Sequence, residues 1–160
     1  MGELGEFSLK HRIFLRSYPW RRIDPVPWVR LRKPLASCRL ALVSSAGFVL
    51  PDQERFDKAK RGGDPSYREI PTDIDAATLV DAHRSGTFDH SAMRRDPNLA
   101  FPIDRARELA ERGRVGSVNR RHLSFMGGVT APGRLIKHSA PEAARTLAAD
   151  GVDVALLVPV

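Results

Sequence analysis

The sequence predicts a three-layer α/β domain, a mainly parallel sheet flanked by helices and incomplete at its C-terminal end. Two stretches carry that expectation. Arg39–Ser44 is a short apolar run that closes on the small residues Ser44, Ser45, Ala46 and Gly47, the pattern of a buried parallel strand followed by a turn. Near the other end, a helical stretch from Ser139 to Ala149 or Asp150 meets Gly151 and then the apolar run Val152–Val158. Helix, glycine, strand is half of a βαβ unit, and such units build parallel sheets.

At 160 residues the chain has room for one domain with a real core. Its 42% hydrophobic and 28% charged residues place it with globular proteins rather than with disordered or membrane chains. The longest apolar stretch, residues 154–160, is too short to span a bilayer. The N-terminus lacks a basic segment followed by an apolar one, so no secretory signal is read there. Cys38 is the single cysteine and has no disulfide partner within the chain, which makes a reducing cytoplasm the expected location.

The formal net charge is +7, and its distribution is uneven. Residues 1–34 hold eight Lys/Arg (Lys10, Arg12, Arg16, Arg21, Arg22, Arg30, Arg32 and Lys33) against Glu3, Glu6 and Asp24. Residues 1–35 are therefore read as a basic, Pro/Trp-rich arm, and 36–160 as the α/β domain. Prolines at 19, 25, 27 and 34 suit extended or turn structure rather than a long helix. A basic arm can follow phosphates or lie on an acidic subunit. No zinc-finger spacing, RNP motif or heptad basic region is present, so nucleic acid is not the expected partner.

After the first strand, residues 51–75 read as polar and turn-rich around Gly62-Gly63-Asp64-Pro65. Thr78–His83 is a second short strand candidate. Pro102–Arg112 is the clearest helix: Pro102 suits its first turn, Asp104 opposes the dipole, and Gly113 ends it. Ile103, Ala106, Leu109 and Ala110 share a face, and Glu108 can pair with Arg112. Val118–Phe125 reads as a strand running into Met126-Gly127-Gly128. Ser139-Ala-Pro-Glu142 spells a capping box for the last helix.

The densest chemistry lies at His83, Asp89 and His90, with Asp96, Asn98, Asp104 and Arg105 downstream. Imidazole and carboxylate can hold zinc or iron, but this spacing matches no metal motif, and no metal is expected. Asp89 and Asp96 also suit turn caps. Ser44 and Ser45 follow a strand, where open α/β sheets collect ligands. Cys38, ahead of the first strand, reads as a small buried hydrophobe.

Several segments then line up with a known family. Gly63-Asp64-Pro65-Ser66-Tyr67-Arg68-Glu69-Ile70-Pro71 resembles the G-D-x-S-(F/Y)-R-x-I-P segment of the selenoprotein B family of glycine, sarcosine, betaine and D-proline reductases. His83, Phe88-Asp89-His90, Asp96-Pro97-Asn98, Phe101 to Arg105, Gly113 to Gly116 and His122 to Gly127 continue the family's order. The resemblance covers roughly residues 38–160, while the arm matches only loosely. Ala82 stands where serine is usual, Phe88 for tyrosine and Ala106 for leucine, which implies a cousin with altered substrate or efficiency.

The resemblance implies reductive cleavage of a C–N bond in an amino acid or its N-methylated relative. It implies other reductase subunits as partners and a pyruvoyl group on one of them that engages the substrate amine; no cofactor is expected on this chain. A selenolate or thiolate attacks carbon. In the family that nucleophile follows a strand like Gly151–Leu157, so it is expected just after Val160, with selenocysteine or cysteine missing from the chain. Reading UGA as a stop would end a protein here; a fragment or a natural short form would too. His83, Asp89, His90, Ser44 and Ser45 are then expected to handle substrate and protons. Asp96, Asn98, Asp104 and Arg105 are expected to support them. The last strand should lack cover, which favours self-association or a partner. A second reading makes the chain a non-enzymatic module whose arm holds an acidic partner or nucleic acid.

Overall fold

The computed structural model describes residues 5, 7–19, 22–85 and 90–160. The chain divides into two units, residues 1–30 and 31–160. The first contains helix α1 (Leu9–Ser17), which buries none of its residues. The helix fits upstream of Pro19, and Tyr18 is already extended, as a residue before proline should be. The prolines thus confine a helix that the arm's composition did not announce.

The second unit is built on β1 (Arg39–Ser44), which has a strand on each edge. Strand β7 (Val154–Val158) pairs with it in parallel over five positions, from Leu40 opposite Val154 to Ser44 opposite Val158. The other edge takes two short strands in succession, β5 (Ser117–Val118) and β6 (Arg121–Phe125), both parallel to β1. Outside β6 lies β3 (Tyr67–Pro71), antiparallel to it. A separate antiparallel ribbon joins β2 (Phe48–Val49) to β4 (Val80–Asp81). The second strand candidate therefore forms, but outside the main sheet.

Alternation along β1 sorts its side chains between two layers. Leu40 and Leu42 pack with Ile103 and Ala106 of helix α3 (Ile103–Glu111) and with Phe101. Ala41 and Val43 pack with Leu123 and with Ala143 and Leu147 of helix α4 (Ala140–Ala149). Both faces of β1 are covered, so its near-continuous apolar sequence is what a central parallel strand requires. Ile103 is fully buried. Burial of a side chain of that size contributes about 1.5–3 kcal/mol.

The chain between β5 and β6 bulges, and His122 repairs the gap. The Leu42 amide donates to His122 Nδ1 at 2.9 Å instead of to a strand carbonyl. His122 Nε2 reaches Thr72 Oγ1 at 2.9 Å, and that hydroxyl donates to the Asn119 carbonyl. The ring is therefore neutral, with its proton on Nε2. It is fully buried.

Polar ties close the amino ends of the strands. Asp150, after α4, accepts from Arg121 Nε at 2.7 Å, Arg120 at 3.0 Å and Asn119 at 3.1 Å. Hydrogen bonding from Arg121 above all, then from Asn119, holds its carboxyl far below the usual range despite burial. Arg121 also bridges to Glu69 at 3.0 Å, which fastens edge strand β3. Asp153 accepts from the Arg39 amide at 2.8 Å.

Two local expectations are corrected. Ser139 does not cap a helix: the backbone is helical from 133 to 149, with a π turn over Leu135–Ser139, and Ser139 lies inside it with helical dihedrals and no side-chain cap. Glu142 accepts from the Tyr67 hydroxyl at 3.3 Å. The polar stretch 51–75 contains β3, whose Tyr67, Arg68 and Glu69 serve other contacts and so hide the strand's alternation. Helix α2 (His90–Arg95) was not foreseen either.

Strand β7 pairs only with β1 among the described residues. Leu156 is 46% and Leu157 69% exposed. On the α4 side, cavities of about 420 and 560 Å³ share Val43, Phe125, Ala140 and Leu157, forming one apolar trough.

Two outcomes follow. Burial, and then nearby Arg107, push the His122 pKa down to about 4. In the unfolded chain imidazole returns to about 6.5 and binds a proton that the fold excludes. Stability is thus complete above about pH 6.5 and falls as pH drops towards 4, by on the order of 3 kcal/mol. Burial, then the charge of His90, also lowers the His83 pKa, and with the same sign. His122→Ala should melt lower at pH 7 yet lose most of this acid slope; an unchanged slope in urea titrations would contradict the assignment. Leu157→Glu should reduce self-association in light scattering while changing stability by no more than about 0.5 kcal/mol, since its side chain covers little.

Candidate functional site

Parallel pairing sends the carboxyl ends of β1, β6 and β7 to the same side of the sheet, where open α/β sheets gather ligands. Beyond β1 come Ser45, Ala46 and Gly47. Beyond β6 come Met126 and Gly127, with Ala46 bridged to Met126. Beyond β7, the Val160 amide donates to Ser45 Oγ at 2.9 Å. Ser44 is buried, its hydroxyl donating to the Ala100 carbonyl at 2.6 Å and accepting the Ala46 amide at 3.0 Å. The Ser44 hydroxyl is thus spent on internal bonds, while Ser45 stands beyond the strand end, and both residues line the neighbouring cavity.

Strand β4 delivers His83 to this end. The Ala82 amide donates to the Gly47 carbonyl at 3.1 Å. Gly47 has φ +68°, and a Cβ there would meet His83 Cα at 3.0 Å, so glycine is required both for the turn and for the contact. Val80, Ala82 and Met126 pack with Val49 and Phe56 behind the ribbon.

Asp81 organises the polar groups. Its carboxylate accepts from His90 Nδ1 at 2.7 Å, from Arg94 Nε at 2.9 Å and from the His83 amide at 3.1 Å. Burial alone would raise its pKa, but these bonds, led by that from His90, lower it. His90 Nε2 reaches the Ser85 carbonyl at 2.5 Å. Both ring nitrogens of His90 are thus engaged, one by Asp81 and the other by the Ser85 carbonyl. The Ser85 amide donates to His83 Nδ1 at 3.1 Å, which puts the His83 proton on Nε2. The two rings lie edge to face, 5.9 Å apart.

Gly127 marks where the groups converge. A Cβ there would stand 2.5 Å from His83 Nε2, 2.9 Å from the Ser45 carbonyl oxygen and 3.1 Å from the main-chain oxygen of Val160. The missing side chain is thus the space in which His83 Nε2 meets the ends of β1 and β7. Ser45, Met126 and Val158 also line the apolar trough, so the trough opens beside this point. A donor, two main-chain oxygens and an apolar wall thus stand together, packed at Gly127 too closely to admit a methyl group; the room for a small molecule lies in the adjoining trough.

Asp89 lies outside the described residues. Asp96 accepts the Asn98 amide at 3.0 Å. Asn98 and Asp104 exchange bonds at 2.7 and 3.0 Å to start α3, and Arg105 pairs with Glu108 at 2.8 Å on the surface. Asp96, Asn98 and Asp104 hold the turn whose Ala100 carbonyl anchors Ser44. Among the described residues no three His, Cys, Asp or Glu side chains could share a metal ion, and no helix is long and apolar enough to cross a membrane. Asp81 and Gly127 are the positions of the candidate site that sequence reasoning missed. A single carboxylate within the apolar run Thr78–His83 was the available signal for Asp81. For Gly127, whose φ is not left-handed, the need appears only in three dimensions.

The fold is an α/β sheet, mainly parallel, with His83 and Ser45 beside the carboxyl ends of its strands. The chain belongs to the glycine/sarcosine/betaine reductase selenoprotein B family, whose model matches residues 7–159. The match takes in most of the N-terminal arm, beyond the span read from the motifs. It is similar to the D-proline reductase subunit gamma of Acetoanaerobium sticklandii, with 35% identity over 144 residues, 89% of this chain and 57% of that protein. It is 28% identical to the glycine reductase complex component B subunit gamma of Carboxydothermus hydrogenoformans, over 94% of this chain and 34% of that one. The sarcosine reductase complex component B subunit beta of Peptoclostridium acidaminophilum is also 28% identical, over 90% and 33%. The chain therefore spans between a third and somewhat over half of these relatives. No solved structure matches it.

Gly127→Ala should displace His83 or the β1 and β7 ends, at a cost of about 1–3 kcal/mol as overpacking. Thermal melts and the His83 ring signals in NMR test this. Wild-type stability with unmoved ring signals would show that the site has slack.

Proposed function

We propose that this chain is a component of a selenoprotein B-type reductase that reductively cleaves the C–N bond of an amino acid or an N-methylated amine. The observation that carries the reading is the convergence on Gly127 of His83 Nε2, the end of β1 and the end of β7, in a chain of this family. Cys38 supports the remainder of the proposal. It is fully buried at the amino end of β1, opposite the site, where its thiol contacts the Lys33 and Pro34 carbonyls. The redox nucleophile, selenocysteine or cysteine, is accordingly assigned outside these 160 residues, directly after Val160.

The roles of the residues present follow from their hydrogen bonds. His83, neutral and donating from Nε2, holds a substrate carboxylate or a developing negative charge at the strand ends. Asp81 and His90 act through it, fixing its amide and the Ser85 turn. Ser45 sets the end of β7. When the C–N bond breaks, its electron pair stays with nitrogen, which then needs a proton; a histidine at the site is suited to pass one on. The pyruvoyl group belongs to a partner subunit in this scheme, and no residue here is assigned to bind it. Amino-acid-like small molecules and the other reductase subunits are the proposed partners, in the cytoplasm.

The chain alone should not cleave glycine, betaine, sarcosine or D-proline with a dithiol reductant. Turnover by residues 1–160 that Cys38→Ser abolishes would place the nucleophile within the chain. The codon after Val160 should specify selenocysteine or cysteine. In the assembled reductase His83→Ala should slow amine release about a hundredfold, and full activity would remove His83 from the site.

A further inference from the structure

We propose that the N-terminal arm docks on another subunit of the reductase complex, at a surface that is acidic and has apolar pockets. This rests on the component reading above. The arm holds a run of exposed apolar side chains: Leu9, Ile13 and Val26 are exposed, Trp28 is 79% exposed and Val29 84%. Isolated apolar residues on a surface need no explanation, but this density over one short segment marks an interaction site. Helix α1 has nine residues and buries none. Helices so short are marginal in water on their own hydrogen bonds, so α1 gains from a surface that takes up Leu9 and Ile13.

Charge selects the partner. Residues 1–34 carry eight Lys/Arg against three acids. Among the described residues, Lys10, Arg12, Arg16, Arg22 and Arg30 form no ion pair. Their charge meets no carboxylate among the described residues, and Arg12 and Arg16 sit one turn apart on α1. A second copy of the chain, itself at +7, would repel the arm. Nucleic acid would satisfy the cations but leave the aliphatic Leu9, Ile13, Val26 and Val29 without a match. Trp and Arg together are the residues that dominate protein interfaces. The family match begins at residue 7, so the arm belongs to the part shared with proteins named as subunits of multi-component reductases.

The test uses the full chain with the purified remaining subunits of its complex, measuring affinity at low and physiological salt. Trp28→Ala with Val29→Ser should weaken binding at least about tenfold. Arg12→Glu with Arg16→Glu should weaken it and flatten its salt dependence. Both variants should melt like the wild type, because the changed side chains are exposed. Binding unaffected by either pair would overturn the arm as the contact while leaving the component reading intact. Failure of the wild-type chain to bind any reductase subunit would overturn both. A single-stranded oligonucleotide bound at physiological salt and released by the Arg variant, with subunit affinity unchanged, would assign the arm to nucleic acid instead. Self-association lost in the Trp28 variant, with subunit affinity unchanged, would assign it to a second copy.

Discussion

The in-register parallel ladder between β1 and β7 is the constraint from which the candidate site follows. Pairing from Leu40–Val154 to Ser44–Val158 fixes which residues stand together at each end. At the amino end it sets Arg39 against Asp153. At the carboxyl end it brings Ser45 to Val160. A slip of one residue would turn every β7 side chain to the opposite layer and break both ties. β6 adds Gly127 because it runs parallel to the same strand, and Gly47 adds His83 because it accepts the Ala82 amide.

The two ends of the sheet differ in electrostatic character. The amino end is knitted by ionised groups, with Asp150 shared among Arg121, Arg120 and Asn119, and Arg121 extended to Glu69. Such a shared carboxylate restrains β3, β6 and the turn after α4 together. The carboxyl end keeps its charges one step back, on Asp81 and Arg94, and presents a neutral imidazole and main-chain oxygens. Next to the apolar trough, those groups act in a less screened setting than an exposed ion pair would.

The parts legible in sequence were those where one force dominates. β1 is apolar because the interior of a parallel sheet demands it, β7 shows the same apolar run although it forms a largely exposed edge, and α3 shows its proline start and its glycine stop. β3 was hidden because its side chains are shared out: Arg68 caps the Glu54 carbonyl, Glu69 pairs with Arg121 and Tyr67 reaches Glu142. The spelling at Ser139 misled because a capping box and a helix interior can carry the same letters; the π turn decides between them. At the site, His83 and His90 stood out by residue type. Asp81 binds both neighbourhoods together, yet it reads as one acid in an apolar run. His122 stands in one of the segments that carry the family resemblance, and its ring completes a hydrogen-bond ladder inside the core.

The π turn at Leu135–Ser139 has a further bearing on how this helix can change over time. A π turn holds one residue more than the α-helix around it needs. Losing any one residue there would let the helix close into a regular spiral without a break. The wide turn has already absorbed that residue, so the segments on either side would keep nearly their present faces. Gly133 and Arg134 would stay close to their present sides of the helix, and Ala143 and Leu147 would keep their seat on the sheet. A single-codon deletion would change here only which side chains of Leu135–Ser139 stand against the trough, leaving the core untouched.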